Sequence, residues 1–279
     1  MSRPAYARPY SSVMATHRIE PVYSTMIAIG RGLFGALRLR RSVTGIEHIP
    51  RDGGAVLAIT HFGYLDFALT EWVVYLGTRR HVRFMAKESA FRNPLVGWLL
   101  RGMHHIPVNM KAGAAAFDNA VAALKAGELV GVFPEAGVNA SFTVRELKSG
   151  AMRMAQKAGV PVIPVAVWGG HRLLTKNHKP TLREAYKVPI CFAIAEPITA
   201  GPTDEPHELT TRLRQKLQSM VDTLQTGYPV DGTGAWWQPR HLGGTAPTPE
   251  EAAASDAARD RRREAEAAER AADKHKPHS

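Results

Sequence analysis

Short, nearly continuous apolar runs recur along this chain, separated by longer segments whose apolar residues fall three and four positions apart. The first pattern marks buried strands and the second marks helices. Strand-like runs cover residues 55–60, 82–86, 129–133, 160–168 and 188–195, with a short one at 105–108 and a strand–turn region at 42–50. Helical spacing covers 66–76, 94–100, 112–125, 150–158 and 207–224, and Gly127 stops the alanine-rich segment in the usual C-terminal manner. Strands alternating with helices predict an α/β fold: a single layered domain with a mostly parallel central sheet flanked by helices. Residues 1–20 read as a flexible leader and 21–245 as the folded domain. Within that domain, 227–244 is rich in Gly, Pro and Trp and reads as an irregular surface segment. Residues 246–279, rich in Ala, Glu and Arg without an apolar stripe, read as a disordered tail or a solvated helix.

The domain is expected to open with an amphipathic helix over about 22–39. Its apolar positions 22, 26, 29, 33 and 37 recur at helical spacing, with 23, 27 and 34 beside them, and the same segment carries Arg31, Arg38, Arg40 and Arg41. Such a face can lie in a membrane interface with its arginines near lipid phosphates. The plain alternative is a helix packed on the core with solvated arginines.

Charge sharpens this picture. The formal net charge is +11, and the tail from residue 247 onward is close to neutral, so the excess of Lys and Arg sits on the preceding body. A basic body points to an anionic partner: a membrane surface, a phosphorylated substrate or nucleic acid. Nucleic-acid binding would show basic residues interleaved with stacking aromatics, which this chain lacks, so no nucleic acid is expected. Cys191 is the only cysteine, which rules out an internal disulfide and a thiolate metal cluster. The first twenty residues lack the pattern of a signal peptide, and no run of 18 uncharged apolar residues occurs, so a spanning helix is not expected. These features lead to the expectation of a protein on the cytoplasmic face of the membrane, peripheral or monotopic.

The candidate chemistry begins at His61-Phe62-Gly63-Tyr64-Leu65-Asp66, where an apolar strand delivers a histidine to its carboxyl end, the edge at which open α/β sheets place ligands. Residues five apart on a continuous helix point away from each other, so His61 and Asp66 can meet only if the chain turns between them, and Gly63 permits that turn. A histidine oriented by a carboxylate is a general base for a hydroxyl or thiol proton. Alternatively, His61 is an ordinary polar residue after a strand and Asp66 a helix cap. Lys87 and Pro134-Glu135, with a turn at Gly137, also follow strand ends and gather at the same edge of a parallel sheet.

With these residues the chain resembles the lysophospholipid acyltransferase family, of the bacterial 1-acylglycerol-3-phosphate acyltransferase type, from about residue 40 to 226. His61 and Asp66 match its His-x4-Asp block. The second block runs from Lys87 to Met110, with Pro94, Gly97, Gly102 and Ile106-Pro107-Val108. Phe133-Pro134-Glu135 and Lys148-Ser149-Gly150-Ala151 match the third in part, and residues 160–165 match its Val-Pro-Val-Ile-Pro-Val strand. The departures are Asn109-Met110 where the family often has a basic end, and Ala136-Gly137-Val138 where it has Gly-Thr-Arg. Two arginines that the family can use for an acceptor phosphate are thereby missing. Arg101, Lys111, Arg145 and Lys148 are the nearby replacements.

The resemblance implies transfer of a fatty acyl group from acyl-CoA or an acyl carrier protein thioester, as co-substrate, to the free hydroxyl of a lysophospholipid. That acceptor would be 1-acylglycerol-3-phosphate and the product phosphatidate. His61 and Asp66 would be catalytic. Gly63, Tyr64, Lys87, Arg101, Pro134, Glu135, Ala136, Gly137, Arg145 and Lys148 would bind substrate, with backbone amides of 134–137 candidates for the oxyanion. No metal or redox cofactor is required. Two alternatives stand: a different lipid or glycolipid acceptor, which the missing arginines favour, and a non-enzymatic binder of anionic surfaces or nucleic acid. His104-His105 carries no metal signal, since neighbours on a strand face opposite sides. No serine nucleophile elbow and no P-loop or dinucleotide-binding glycine pattern occurs. Trp168-Gly169-Gly170-His171 reads as a turn.

Overall fold

The apolar runs form the strands of one sheet in a computed structural model that describes residues 20–109 and 113–273. The leader up to residue 19, Met110 and Lys111 lie outside the described residues. In chain order the elements are α1 (Pro21–Ala36), β1 (Arg40–Thr44), β2 (Ala55–Ile59), α2 (Asp66–Thr78), β3 (Val82–Lys87), the single turn α3 (Glu88–Phe91), α4 (Pro94–Gly102), β4 (Ile106–Val108) and α5 (Gly113–Lys125). There follow β5 (Leu129–Val132), α6 (Gly150–Ala158), β6 (Val162–Trp168), the single turn α7 (Leu182–Ala185), β7 (Pro189–Ile194), α8 (Pro206–Thr226) and α9 (Pro249–Asp273).

The seven strands lie in the order β1-β7-β6-β2-β5-β3-β4. All neighbours are parallel except β6 and β7, which pair antiparallel from Val165↔Ile194 to Trp168↔Cys191. The expected α/β class with a mostly parallel sheet is therefore the one observed. β2 is central, and all five of its residues are buried, as a strand covered on both faces requires. A continuous apolar core joins Leu57, Ile59, Leu69, Val73, Leu129 and Ile163. The helix of the 66–76 segment continues to Thr78, where Arg79 closes it in the left-handed conformation.

The contact pattern divides the chain into two compact units, one made of residues up to 138 with 144–229, the other of 139–143 with residues from 230 onward. The first unit holds the sheet and α1 to α8. In the second, the Asn139 Oδ1 accepts from the Ser141 amide at 3.0 Å and its hydroxyl at 2.8 Å. There, α9 opens on a reciprocal cap in which the Thr248 amide donates to Glu251 Oε2 and the Glu251 amide to Thr248 Oγ1.

The amphipathic helix α1 buries the apolar residues that lie beside its regular stripe. Tyr23, Ile27 and Phe34 face the core, whereas Ile29 and Leu33 face solvent at 58% and 54% exposure. Its entry is fixed by charge. Arg83, buried in β3, donates to Glu20 Oε2 at 2.7 Å and to Glu128 Oε2 at 3.2 Å. Burial works against the Arg83 charge, but these two carboxylates outweigh it and hold the guanidinium protonated. The Tyr23 hydroxyl donates to the Val82 carbonyl at 2.7 Å and its ring stacks on His81.

Candidate active site

β2 ends at Ile59, and the next two residues carry His61 to the carboxyl edge of the sheet. Thr60 is held on both sides, its amide donating to Val165 O and its hydroxyl accepting from the Val167 amide, both at 3.0 Å. The chain then turns through 62–65 into α2. Asp66 is the first residue of that helix, and its side chain points back into the turn, with Oδ2 accepting from the Phe62 amide at 2.9 Å and the Gly63 amide at 2.8 Å. The same oxygen stands 3.3 Å from His61 Nδ1. The turn thus brings together two side chains that a continuous helix would keep apart.

Asp66 is 1% exposed. Burial raises its carboxyl above the usual range, opposed by the His61 ring and the two amides. With the carboxylate ionised, Nδ1 of His61 carries the proton and Nε2 presents a lone pair, the tautomer a general base needs. The His61 ring is also clamped from the side, stacked on Phe133 at 4.0 Å between centroids.

Glu135 is buried and bridges two loops. Its Oε1 accepts from the His61 amide at 3.0 Å, and its Oε2 from the Arg145 amide at 3.5 Å. The Arg145 guanidinium lies over the same carboxylate at 3.9 Å and donates to the carbonyls of Gly137 and Val138. Lys148 joins the loop through its amide, which donates to Pro134 O at 2.9 Å, while its side chain is exposed. Ala136 adopts a left-handed backbone, φ +59°, and its amide closes the turn onto Phe133 O.

The remaining predicted residues fall into two groups. Gly63 and Tyr64 belong to the turn, with the Tyr64 amide donating to Leu174 O at 2.8 Å and its ring partly exposed. Lys87 ends β3, exposed, on the same sheet edge as His61, because β3, β5 and β2 run parallel. Arg101 lies in the last turn of α4, where Nη1 donates to the Phe91 carbonyl at 3.0 Å and so braces α3 against α4. Val138, at the position of a family arginine, is 3% exposed.

Sequence reasoning missed the strap that holds the turn. A Cβ on Gly170 would lie 2.6 Å from Asp66 Oδ1, and one on Gly63 would lie 2.8 Å from the His171 amide nitrogen. These two glycines let the 169–175 segment pack flat against the His61–Asp66 turn. Thr175 Oγ1 then ties down Phe62 O at 2.6 Å. The signal was present as the Gly169-Gly170 pair directly after a buried strand, which marks close backbone approach as well as a turn.

An apolar cavity of about 210 Å³ is lined by Ile27 and Phe34 of α1, Leu65 before α2, Phe67 and Trp72 within it, and Phe84 of β3. Phe84 stacks on Phe133 at 6.0 Å, and Phe133 on His61, so aromatic rings connect the cavity wall to the histidine. Among the described residues, no group of three or more His, Cys, Asp or Glu is placed to hold a metal ion.

Residues 40–168 match the family model described as Acyltransferase. The chain is 37% identical over 124 residues to a 1-acyl-sn-glycerol-3-phosphate acyltransferase of Bacillus subtilis, covering 44% of this chain and 60% of that protein. It is 30% identical over 138 residues to one of Borreliella burgdorferi, covering 48% and 54%. The chain thus matches between half and two thirds of the length of these two curated relatives. The crystal structure of the 1-acyl-sn-glycerophosphate (LPA) acyltransferase PlsC from Thermotoga maritima aligns with a TM-score of 0.61 at 25% identity, over 75% of this chain and 81% of that one.

Proposed function

We propose, from the match of residues 40–168 to the Acyltransferase family model, that the protein moves a fatty acyl group from a thioester to the free hydroxyl of 1-acylglycerol-3-phosphate. The observation that carries this reading is the His61 ring, held at 3.3 Å by a buried carboxylate that two backbone amides also fix.

His61 Nε2 takes the proton of the acceptor hydroxyl as its oxygen attacks the thioester carbonyl. Asp66 keeps Nδ1 protonated and stabilises the imidazolium that forms. The tetrahedral intermediate collapses with cleavage of the C–S bond, and His61 returns its proton to the departing thiolate. A C–O ester bond replaces the thioester, and His61 ends in its starting state. Acyl-CoA or an acyl carrier protein supplies the thioester. Pro134 has no amide hydrogen and the Ala136 amide is engaged by Phe133 O, so the oxyanion donors of this loop narrow to Glu135 and Gly137. Glu135 orders the loop from beneath. The aromatic-walled cavity, linked to His61 through the Phe84 and Phe133 rings, offers an apolar site for an acyl chain, whose burial stabilises binding by about 0.8 kcal/mol per methylene. Lys87 and Lys148, both exposed, and Arg145 supply cations for the acceptor phosphate.

A second reading has one observation behind it. Val138 is buried where the family can place a phosphate-binding arginine, and the Arg145 fork is turned onto loop carbonyls. A lipid or glycolipid acceptor without a phosphomonoester would suit that arrangement. Incubating the protein with acyl-CoA and a panel of lysolipids, with mass spectrometry of the products, separates the two. Acylation of lysophosphatidate supports the first reading. Acylation of uncharged lysolipids alone supports the second.

A further inference from the structure

α4 is a capped, well-seated helix that nevertheless turns its largest apolar side chains outward. Asn93 Oδ1 accepts from the amides of Leu95 and Val96 at 3.1 and 3.0 Å, so the exposure does not come from a frayed end. Its packed side is built from small and aliphatic residues. Gly97 lies so close to the Phe91 carbonyl that a Cβ would meet it at 2.1 Å, and Leu99 and Leu100 join the cluster of Tyr23, Ile27 and Met103 beside α1. Leu95 nevertheless stays 67% exposed and Trp98 57%, and Val96 is exposed as well. Water-facing positions of a helix normally carry polar groups, and a contiguous apolar group there marks an interaction surface.

Position and charge identify the partner. α4 follows β3 across a single helical turn, so it starts from the strand-end edge where His61 stands. Two exposed cations, Lys87 and Arg92, precede it. An outward tryptophan, aliphatic neighbours and flanking positive charge are the composition of a helix lying in an anionic lipid interface.

We propose that the Leu95–Val96–Trp98 face of α4 inserts into an anionic bilayer surface and holds the His61 edge of the sheet against it. This rests on the acyltransferase reading, which needs a site that a membrane lipid can reach. It adds a docking element that the α1 spacing did not indicate.

The test uses the full chain and vesicles of phosphatidylcholine with or without phosphatidylglycerol, some carrying brominated acyl chains that quench tryptophan. The wild type should sediment with the anionic vesicles and show quenching, and Trp98→Phe should lose most of that quenching. A Leu95→Asp/Val96→Asp double variant should bind about tenfold or more weakly, since two carboxylates replace buried apolar surface. Unchanged quenching in Trp98→Phe would overturn the proposal, and so would wild-type binding by the double variant. Equally, loss of self-association in the double variant with vesicle binding intact would overturn it, by making this face a contact between copies. If the double variant does not fold, the Trp98→Phe quenching decides alone. Vesicle binding through α4 without acylation of any lysolipid would leave the docking face standing and remove the acyltransferase reading.

Discussion

Asp66 Oδ2 receives two backbone amides and faces the His61 ring, and nearly every functional expectation at the scale of single residues follows from that oxygen. Replacing His61 with Ala removes the proton acceptor without removing a core side chain. Turnover should fall by about 10²–10⁴-fold or more while the thermal melt stays near that of the wild type, measured by product formation and circular dichroism. Asp66→Asn with its oxygen in the Oδ2 position keeps the two amides and the ring contact but removes the negative charge. The imidazolium that forms during transfer then lacks its counter-charge, and turnover should drop strongly. Asp66 also carries a pH signature. Burial raises its carboxyl, so the folded chain holds that proton more tightly than the unfolded chain does. Its contribution to stability is therefore largest below the unfolded pKa and is lost as pH rises through the folded one. Asn never ionises, so the Tm difference, Asp66→Asn minus wild type, should grow as pH rises through that window. The pair was legible in the sequence because it is local: two residues of distinctive chemistry five apart, with a glycine between them, after an apolar strand. The Phe133 stack on His61 was not, since Phe133 lies on another strand end and no short-range pattern records a ring contact.

Among the elements, the 169–175 strap and the turn before α2 form one tight backbone contact. A methyl at Gly170 would overlap Asp66 Oδ1, so Gly170→Ala should displace the carboxylate and lower kcat more than it changes acceptor KM. An unchanged kcat would separate the strap from the chemistry. At Ala136 the strain runs the other way. An L-residue at φ +59° costs roughly 1–2 kcal/mol that glycine avoids, so Ala136→Gly should raise stability toward denaturant by about 1 kcal/mol. Strand positions followed the sequence closely, because a strand buried on both faces must be apolar throughout. The buried stripe of α1 did not. Its apolar residues cover more than one face, and only the partners on α2, α4 and β3 decide that Tyr23, Ile27 and Phe34 turn inward while Ile29 and Leu33 remain outside. Arg83 was equally unreadable inside a strand run, since the two carboxylates that stabilise it lie far away in sequence at Glu20 and Glu128.

For the molecule as a whole, alternating strands and helices identified the α/β class, but not the order β1-β7-β6-β2-β5-β3-β4 or the reversal between β6 and β7. Pairing between strands far apart in the chain leaves no periodic trace. The order nevertheless decides the function, because it places the ends of β2, β5 and β3 side by side and so gathers His61, the Glu135 loop and Lys87 on one edge. The net charge of +11 and the outward apolar residues of α1 and α4 suit an anionic lipid surface as the setting for that edge. The acceptor site departs from the family pattern, because Val138 occupies the place of a family arginine and Arg145 is turned onto its own loop. If Arg145 and Lys148 serve the phosphate, Arg145→Gln and Lys148→Gln should each raise the KM for lysophosphatidate about ten- to a hundredfold and leave that of the acyl donor nearly unchanged. The most direct test of acyl transfer by His61 is product analysis of wild type and His61→Ala side by side, each given acyl-CoA and lysophosphatidate. Phosphatidate from the wild type, and its loss by at least about a hundredfold in a folded His61→Ala protein, is the predicted result. Equal yields of phosphatidate from the two proteins would contradict it.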